Sequence, residues 1–514
     1  MYQVVLFSDI HRTLNGKTMA PYRLANHLRS NGYTVKVVHG FSKITDEQFF
    51  DYCDRFVSDE TLLVGLSATV LADLVNGQFF GIPEEDAKNR MLKFKSLYPK
   101  TKLCIGGAQV TGATNEYLRT FNYFDYAVKG QGENSLMALM DHLSKGTKLI
   151  TSTITSPKVI TEKTYPFDDF NKTLNFFTED DAIQYGEGIP LELARGCIFM
   201  CKFCGYDLIG KKLGDFVKPA DSIRAELLAN YERWGITDYY ISDETINDSV
   251  EKVDMLLESV QGLPFKPKFG GFMRLDLIWR FPEMAQKLLD WGMENCSFGI
   301  ETINDKSGRS VGKGLGVKRI EEALENLHNV WGDKVYVNAS FILGLPHDSH
   351  ETALETDIWL EKMFERKWLH NVFVKPLYIM PDAGSSVIDQ HYTDSGYRLM
   401  SDANLNLRTF KQRSVVKGQC INWETDTYDY ITATADADYI EEKYSNRKIC
   451  NGEISKHNYA YVKQYLPLEY RDQLLRSQVH DIPFDGMTFE ETDAYIRRLG
   501  DEYFNKYFEL VKKK

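Results

Sequence analysis

"LARGCIFMCKFCGYDLIG", residues 193–210, sets Cys197, Cys201 and Cys204 at C-x-x-x-C-x-x-C spacing. Three thiols this close, among Arg195, Lys202, Lys211 and Lys212, are poor material for an apolar core. A structural zinc site asks for four Cys or His ligands, usually as two close pairs, and no second pair follows here. A catalytic zinc held by three protein ligands stays open, although the loop has no histidine, and so do inert buried thiols. Three thiolates can instead hold three irons of a 4Fe-4S cluster and leave the fourth iron for another ligand.

What surrounds the loop decides the fold. From Ile189 onward, the strand-like runs "IPLELA", "DYYISD", "FGGFMR", "CSFGIE", "KVYVNASFIL" and "NVFVKPL" alternate with helical stretches. These stretches run from Pro219 to Trp234, Ser249 to Gln261, Phe281 to Trp291, Val317 to Trp331 and Ser349 to Arg366. Six βα units of this spacing predict a partial (βα)6 barrel of the TIM type, with its chemistry at the carboxyl ends of the strands. The three cysteines then fall in the loop after the first barrel strand.

Upstream, "YQVVLFS", "YTVKVVH", "TLLVGLSA", "TKLCIGG" and "YAVKG" alternate with amphipathic helical stretches. That order predicts a doubly wound, Rossmann-like parallel sheet with ligands at its strand ends, near Ser8 to His11, Ser67 to Thr69, Gly106 to Val110 and Lys129 to Glu133. "TSTITSPKVITEKTYPFDDF" is rich in Thr, Pro and Asp and reads as linker and docking segment. After Pro381 the chain is polar and Tyr-rich and ends on a helical pattern, a mainly helical region to which the sequence assigns no role. The expected α/β organisation is thus 1–146 Rossmann-like, 147–188 linker, 189–380 partial barrel and 381–514 C-terminal region.

Composition narrows the function. With 43% hydrophobic and 26% charged residues over 514 positions, the chain is that of a folded protein with room for several domains. A formal net charge of −12 gives no reason to expect nucleic acid as a partner. Eight cysteines are too sparse for a disulfide scaffold. "MYQVVLFSDIHR" lacks an export signal, and no apolar run reaches the roughly 18 residues of a membrane span, so the expected compartment is the cytoplasm with no membrane partner.

In its cysteine loop, where Phe203 takes the aromatic place before Cys204, the chain resembles the radical S-adenosylmethionine (radical SAM) enzymes. The resemblance implies that the cluster's open iron chelates the amino and carboxylate groups of S-adenosylmethionine. One electron from the cluster then cleaves the S–C5′ bond to a 5′-deoxyadenosyl radical, while the protein binds, orients and excludes water. It further implies S-adenosylmethionine contacts at successive strand ends. These are Asp243 and Glu244 in "YYISDET", Arg274 in "GGFMRLD", Glu301 in the G-x-E element "SFGIET" and Gly344 in "FILGLPHDS", where His347 and Asp348 replace the family's Gly and Glu. Asp243 could instead cap a helix, and Glu301 could pair with Arg274. Both Glu301 and Arg274 are expected to face the barrel mouth and to contribute little to the fold. Cys296, on the fourth strand, reads as core.

Ahead of the barrel, "GLSATV", "CIGGAQVTG" and "VKGQGENSL" resemble the cobalamin-binding domain of the cobalamin-dependent radical SAM subfamily, with Gln131 at an acidic position. Ser67, Gly106, Gly107, Gly130 and Glu133 become candidate cobalamin contacts, since small residues let a flat corrin approach the backbone. Generic Rossmann-like turns need glycine too. "SDIHRTLNG" is similar to a D-x-H-x-x-G cobalt-ligand motif, but its Gly16 comes late. Asp9 and His11 are therefore expected to be loop residues, and cobalamin to bind without a histidine beneath cobalt.

The resulting expectation is an enzyme with a 4Fe-4S cluster, S-adenosylmethionine and cobalamin that methylates an unreactive carbon of a small molecule or peptide, reduced by a donor such as flavodoxin or ferredoxin. Alternatives are a radical rearrangement or cyclisation without methyl transfer and, from another class, a non-catalytic cobalamin or iron-sulfur sensor. A methylthiotransferase would need a second N-terminal cluster, for which Cys53 and Cys104 do not suffice. Cys420 and Cys450 cannot supply an auxiliary one.

Overall fold

Parallel strands covered on both faces need unbroken apolar runs, and the N-terminal part of the chain supplies them. The computed structural model describes residues 2–9, 17–68, 84–167, 176–205, 208–379, 386–400, 421–444 and 486–512, with positions 82, 170, 174 and 381. Its first sheet comprises β1 (Val4–Phe7), β2 (Val35–Val38), β3 (Leu63–Ser67), β4 (Lys102–Gly106), β5 (Tyr126–Lys129) and β6 (Lys158–Thr161). All pairings are parallel, in the order β2-β1-β3-β4-β5-β6. Every residue of β1 and β2 is buried, as expected for strands near the point where the order reverses. That reversal between β1 and β3 leaves a crevice at their carboxyl ends, where open α/β sheets take ligands.

β6 corrects the linker reading. Lys158–Thr161, inside the segment taken as a connector, extends the sheet beyond β5 with Val159 and Ile160 buried. Four residues with only two core positions carry too little periodicity to be told from a loop.

The second sheet comprises β7 (Ile189–Leu191), β8 (Asp238–Ile241), β9 (Lys268–Met273), β10 (Met293–Glu301), β11 (Tyr336–Leu343) and β12 (Asn371–Pro376), parallel and in sequence order with β7 and β12 at the ends. Helices Ala220–Trp234, Val250–Ser259, Met284–Trp291, Val317–Trp331 and His350–Glu365 lie between them, which is the expected open barrel. One face of the strands meets these helices. Phe269 stacks on Trp291 at 3.9 Å, Phe298 on Trp331 at 6.3 Å, and Phe341 meets Trp359 edge-on at 6.0 Å. Because side chains alternate along a strand, Phe272, Ser297 and Asn338 belong to the opposite, lumen face. Cys296 is fully buried on the helix side, as the core reading expects.

The C-terminal region is mainly helical in its described parts, with one short antiparallel pair, Arg398–Leu399 with Trp423–Glu424, and the structure gives its helices a place. Helix Tyr430–Tyr444 lies along β12 and β11, covering the barrel's last strand, which would otherwise present an unpaired edge. Helix Phe489–Lys512 returns to the first sheet, where the buried Tyr507 hydroxyl accepts the His39 N–H at 2.7 Å, just past β2. A single apolar cluster runs from Val4, Leu6 and Tyr22 through Leu191 and Ile241 to Trp359, so the two sheets share a core.

Candidate functional site

The cysteine loop is held by backbone rather than by side chains. Cys197 N–H donates to Leu208 C=O at 3.2 Å, Gly210 N–H to Cys197 C=O at 2.8 Å, and Cys204 N–H to Cys201 C=O at 3.0 Å. Gly196 has φ +69°, and a Cβ there would sit 2.4 Å from the Leu208 carbonyl oxygen, so the entry to the loop requires glycine. Lys202 ties the far side down, donating its N–H to Val311 C=O at 3.1 Å and accepting from Ile388 N–H at 3.0 Å. Phe203 is half-buried and packs against the main core.

The thiols have separate partners. Cys197 Sγ lies 3.4 Å from Thr245 Oγ1, and Cys201 Sγ accepts from an Arg274 guanidinium nitrogen at 3.3 Å. Among the described residues, no three Cys, His, Asp or Glu side chains converge into a ready-made metal site. The donor set nevertheless fits an iron cluster, since all three thiols sit on one pinned loop and rotation about χ1 redirects each sulfur.

Two adjacent acids at the end of β8 have opposite fates. Asp243 is buried, with Oδ1 accepting Leu193 N–H at 2.8 Å and Ala194 N–H at 3.0 Å, and Oδ2 accepting Lys252 Nζ at 3.0 Å. Both of its oxygens are thus bonded within the fold, where Asp243 braces the strand end ahead of the cysteine loop. Burial works against the charge of Lys252, yet Asp243 and Asp248 keep its pKa above the ordinary value. Glu244 instead keeps a buried Oε2 without a hydrogen-bond partner beside the loop, while its carboxylate takes the Gly196 N–H. Burial pushes its pKa up to about 7. An acceptor left unsatisfied next to the cysteines fits the amino group of a bound amino acid.

Arg274 and Glu301 do not pair as charged partners and do not stand free at the mouth. Arg274 is buried, with its guanidinium 3.7 Å from the Phe199 ring, bonded to Asp276 at 2.7 Å and to Cys201. Glu301, buried at φ +69°, lies 3.6 Å from Lys313 Nζ, and burial raises its pKa despite that neighbour. Arg274, Asp276, Gly299 and Lys313 line one small cleft. The expectation that the two residues contribute little to the fold is therefore corrected. Gly344 is also committed to packing, since a Cβ would lie 2.2 Å from Trp423 and its carbonyl accepts the Tyr397 hydroxyl at 2.7 Å. In place of the family's Gly and Glu, His347 adopts φ +74° and Asp348 is buried, taking the Gly344 and Leu345 N–H groups and the Ser307 hydroxyl.

In the first sheet, Ser67 and Gly106 are register partners at the ends of β3 and β4, and Gly107 follows at φ +107°. All three are partly exposed, and a Cβ on Gly106 would meet nothing closer than 3.6 Å, so this edge suits a flat ligand. Gly130 and Glu133 do not. A Cβ on Gly130 would lie 2.3 Å from Glu162, and the buried Glu133 carboxylate binds Arg195 with Arg23 at 3.6 Å. Asp9 accepts the Ser42 N–H, as a loop residue does, while His11 and Gly16 lie outside the described residues.

Sequence reasoning missed Thr245, Lys252, Lys313 and Arg195. Arg195 joins the two sheets, binding Gln131 at 2.7 Å and Glu192 at 2.8 Å as well as Glu133. Its place two residues before Cys197 was visible, but its partners were not.

The Radical SAM superfamily profile matches residues 191–360. Among curated proteins, an anaerobic magnesium-protoporphyrin IX monomethyl ester cyclase of Cereibacter sphaeroides is 26% identical over 61% of this chain and 53% of its own length. An uncharacterised methyltransferase of Pyrococcus horikoshii is 22% identical over 66% and 72%. A bacteriochlorophyllide d C-12(1)-methyltransferase of Chlorobaculum tepidum is 25% identical over 49% and 53%. The chain thus spans about half the length of the first and third of these relatives. Among solved structures, the radical S-adenosylmethionine methyltransferase TsrM of Kitasatospora setae, with cobalamin and a 4Fe-4S cluster bound, superposes with TM-score 0.63 at 14% identity, over 86% of this chain and 91% of that one. The cobalamin-dependent enzyme OxsB gives 0.61 at 11%, over 100% and 79%. Residues 191–360, the barrel that carries the three cysteines, therefore match the radical SAM superfamily, and the chain as a whole shares the fold of the cobalamin-dependent enzymes TsrM and OxsB.

Proposed function

We propose that this chain is a cobalamin-dependent radical SAM enzyme that transfers a methyl group to an unreactive carbon of a small molecule. The observation that carries the reading is the orphaned Glu244 oxygen beside a pinned loop of three cysteines, at the mouth of a barrel. Cys197, Cys201 and Cys204 would hold the 4Fe-4S cluster, and Glu244 would accept from the amino group of S-adenosylmethionine. Arg274, freed from Cys201 once that sulfur binds iron, would hold its carboxylate. Ser67, Gly106 and Gly107 would receive cobalamin at the edge of the first sheet. So loaded, the cofactors supply one-electron cleavage of S-adenosylmethionine and a transferable methyl group. The protein's residues orient the reactants and keep water out.

TsrM and OxsB, both solved with cobalamin bound, support the cofactor pair, and two methyltransferases among the curated relatives support the reaction. The relative from Cereibacter sphaeroides is a cyclase, so cyclisation is the second reading. A one-electron donor of the flavodoxin or ferredoxin kind completes the scheme. Among the described residues no helix is long and apolar enough to cross a membrane.

The test is anaerobic reconstitution with iron, sulfide and hydroxocobalamin, followed by reduction with S-adenosylmethionine present. Four irons per chain, a corrin spectrum and 5′-deoxyadenosine are expected. Iron and 5′-deoxyadenosine should vanish together in Cys197→Ala, Cys201→Ala or Cys204→Ala, and a triple variant retaining its iron would refute the assignment.

A further inference from the structure

The cysteine loop is entered from a strand end that has no slack. From Leu193 to Cys197 every backbone N–H is taken. Leu193 and Ala194 donate to Asp243, Arg195 to Phe216 C=O at 3.0 Å, Gly196 to the Glu244 carboxylate, and Cys197 to Leu208 C=O at 3.2 Å. All of these acceptors lie in the barrel, within residues 208–244. Arg195, the one charged residue of the run, sends its side chain the other way. It crosses to the first sheet, giving one guanidinium nitrogen to Gln131 Oε1 at 2.7 Å and another to the Glu133 carboxylate, while its Nε binds Glu192 at 2.8 Å.

The anchors are themselves fixed. Gln131 and Glu133 follow β5, where the Gln131 N–H donates to Glu162 at 2.6 Å and the Gly130 N–H to Thr111 Oγ1 at 2.9 Å. Arg23 lies 3.6 Å from Glu133 and also binds Glu192, so two guanidinium groups face two carboxylates. The Phe170 ring covers both cations, 5.3 Å from the Arg195 guanidinium and 4.9 Å from that of Arg23. The side chains of Arg195 and Glu133 are 15% and 2% exposed. A buried ion network adds little net stability, since desolvation cancels most of the attraction, but a planar fork shared among three acceptors fixes one geometry. What this network specifies is the position of the Arg195–Gly196 peptide, whose N–H holds Glu244.

We propose that Arg195 is a positioning residue of the cysteine loop, anchored by Gln131 and Glu133, so that the first sheet holds the Arg195–Gly196 peptide where Glu244 can receive the amino group of S-adenosylmethionine. The loop after β5 then serves the cysteines in place of a corrin, and the inference rests on the proposed function for its ligand. Without the anchors the peptide is free to turn at Gly196, which adopts φ +69° and has no side chain to resist, and Glu244 loses the donor that fixes it. Lysine would keep the charge of Arg195 but offer a compact ammonium on a flexible stem in place of the fork.

Arg195→Lys, Glu133→Gln and Gln131→Ala are compared with the native full chain after anaerobic reconstitution with iron and sulfide, with and without hydroxocobalamin. Gln131→Ala removes a neutral anchor and strands no charge, so it keeps the test open should Glu133→Gln fold poorly. All three should retain the native iron content and corrin spectrum. By equilibrium dialysis, each should bind S-adenosylmethionine about fivefold more weakly or worse. In the cobalamin-free samples, the electron paramagnetic resonance spectrum of the reduced cluster with S-adenosylmethionine should show one species in the native chain and a mixture in the variants. Variants that melt early yet bind S-adenosylmethionine normally when folded would make the network a structural brace and overturn the inference. A Glu133→Gln chain that loses the corrin and keeps native S-adenosylmethionine affinity would overturn it too, by returning Glu133 to cobalamin. A native chain that holds no iron or forms no 5′-deoxyadenosine would refute the proposed function and this inference with it, whereas a normal native chain beside unaltered variants refutes the positioning role alone.

Discussion

Asp243→Asn separates a residue that builds the site from one that serves it. Asp243 gives one oxygen to the Leu193 and Ala194 N–H groups at the end of β7 and the other to Lys252 Nζ. Asparagine offers a single acceptor, so either two backbone donors or the ammonium of Lys252 must face an NH2 group. Lys252 is buried, and its next acidic neighbour, Asp248, is 3.9 Å away, with the Thr245 carbonyl at 2.8 Å. Removing one side of a buried pair costs about 3–5 kcal/mol, because the remaining charge stays desolvated. A loss of that size lowers the thermal midpoint on the order of 10 °C in a domain as large as the barrel. The assay is thermal and urea unfolding of the anaerobically purified variant beside Glu244→Gln, with S-adenosylmethionine affinity measured on both. Asp243→Asn should melt early. Glu244→Gln, which changes a carboxylate with an unpaired oxygen, should keep its midpoint and bind S-adenosylmethionine at least tenfold more weakly. An Asp243→Asn protein of normal stability that has lost S-adenosylmethionine would refute the reasoning and restore Asp243 to the cofactor.

Gly344→Ala should cost on the order of 3 kcal/mol, because the new methyl group meets Trp423 at 2.2 Å from a backbone at φ +88°. Near-ultraviolet circular dichroism should report the displaced tryptophan, and an unchanged spectrum and midpoint would contradict the packing. Asp348 makes stability fall as pH rises. Burial pushes its carboxyl up to about 6 from an ordinary value of 3.8, so between those values the folded chain keeps a proton that the unfolded chain has released. The penalty is absent below about pH 4, grows by roughly 1.4 kcal/mol per pH unit, and is complete above about pH 6. Glu244 and Glu301 are raised as well and contribute to both proteins, so urea unfolding from pH 4 to 6 should show the native chain losing stability more steeply than Asp348→Asn, the difference between the two being the Asp348 slope. Equal slopes would show that Asp348 is ionised at low pH in the fold.

How much was legible from the chain depends on the range of the interaction concerned. Local signals sufficed for the strands and helices of both sheets, because "YQVVLFS" and "KVYVNASFIL" carry buried-strand patterns and helix Val317–Trp331 carries an apolar stripe whatever they later pack against. β6 escaped because four residues hold too little pattern. The three cysteines were legible because their spacing is itself the chemistry. Which of two neighbouring acids is free was not, since Asp243 is consumed by Lys252 and by the end of β7, and Glu244 is not. Nor could the sequence show that Gly344 answers to Trp423, that Glu133 answers to Arg195, or that the last helix returns to β2 through Tyr507. Periodicity and spacing are properties of adjacent residues, so the chain alone determined the elements, the fold class and the cluster loop. Burial and hydrogen-bond pairing are set by residues many tens of positions apart, so only the tertiary structure decided which polar groups the fold uses up and which remain for a ligand.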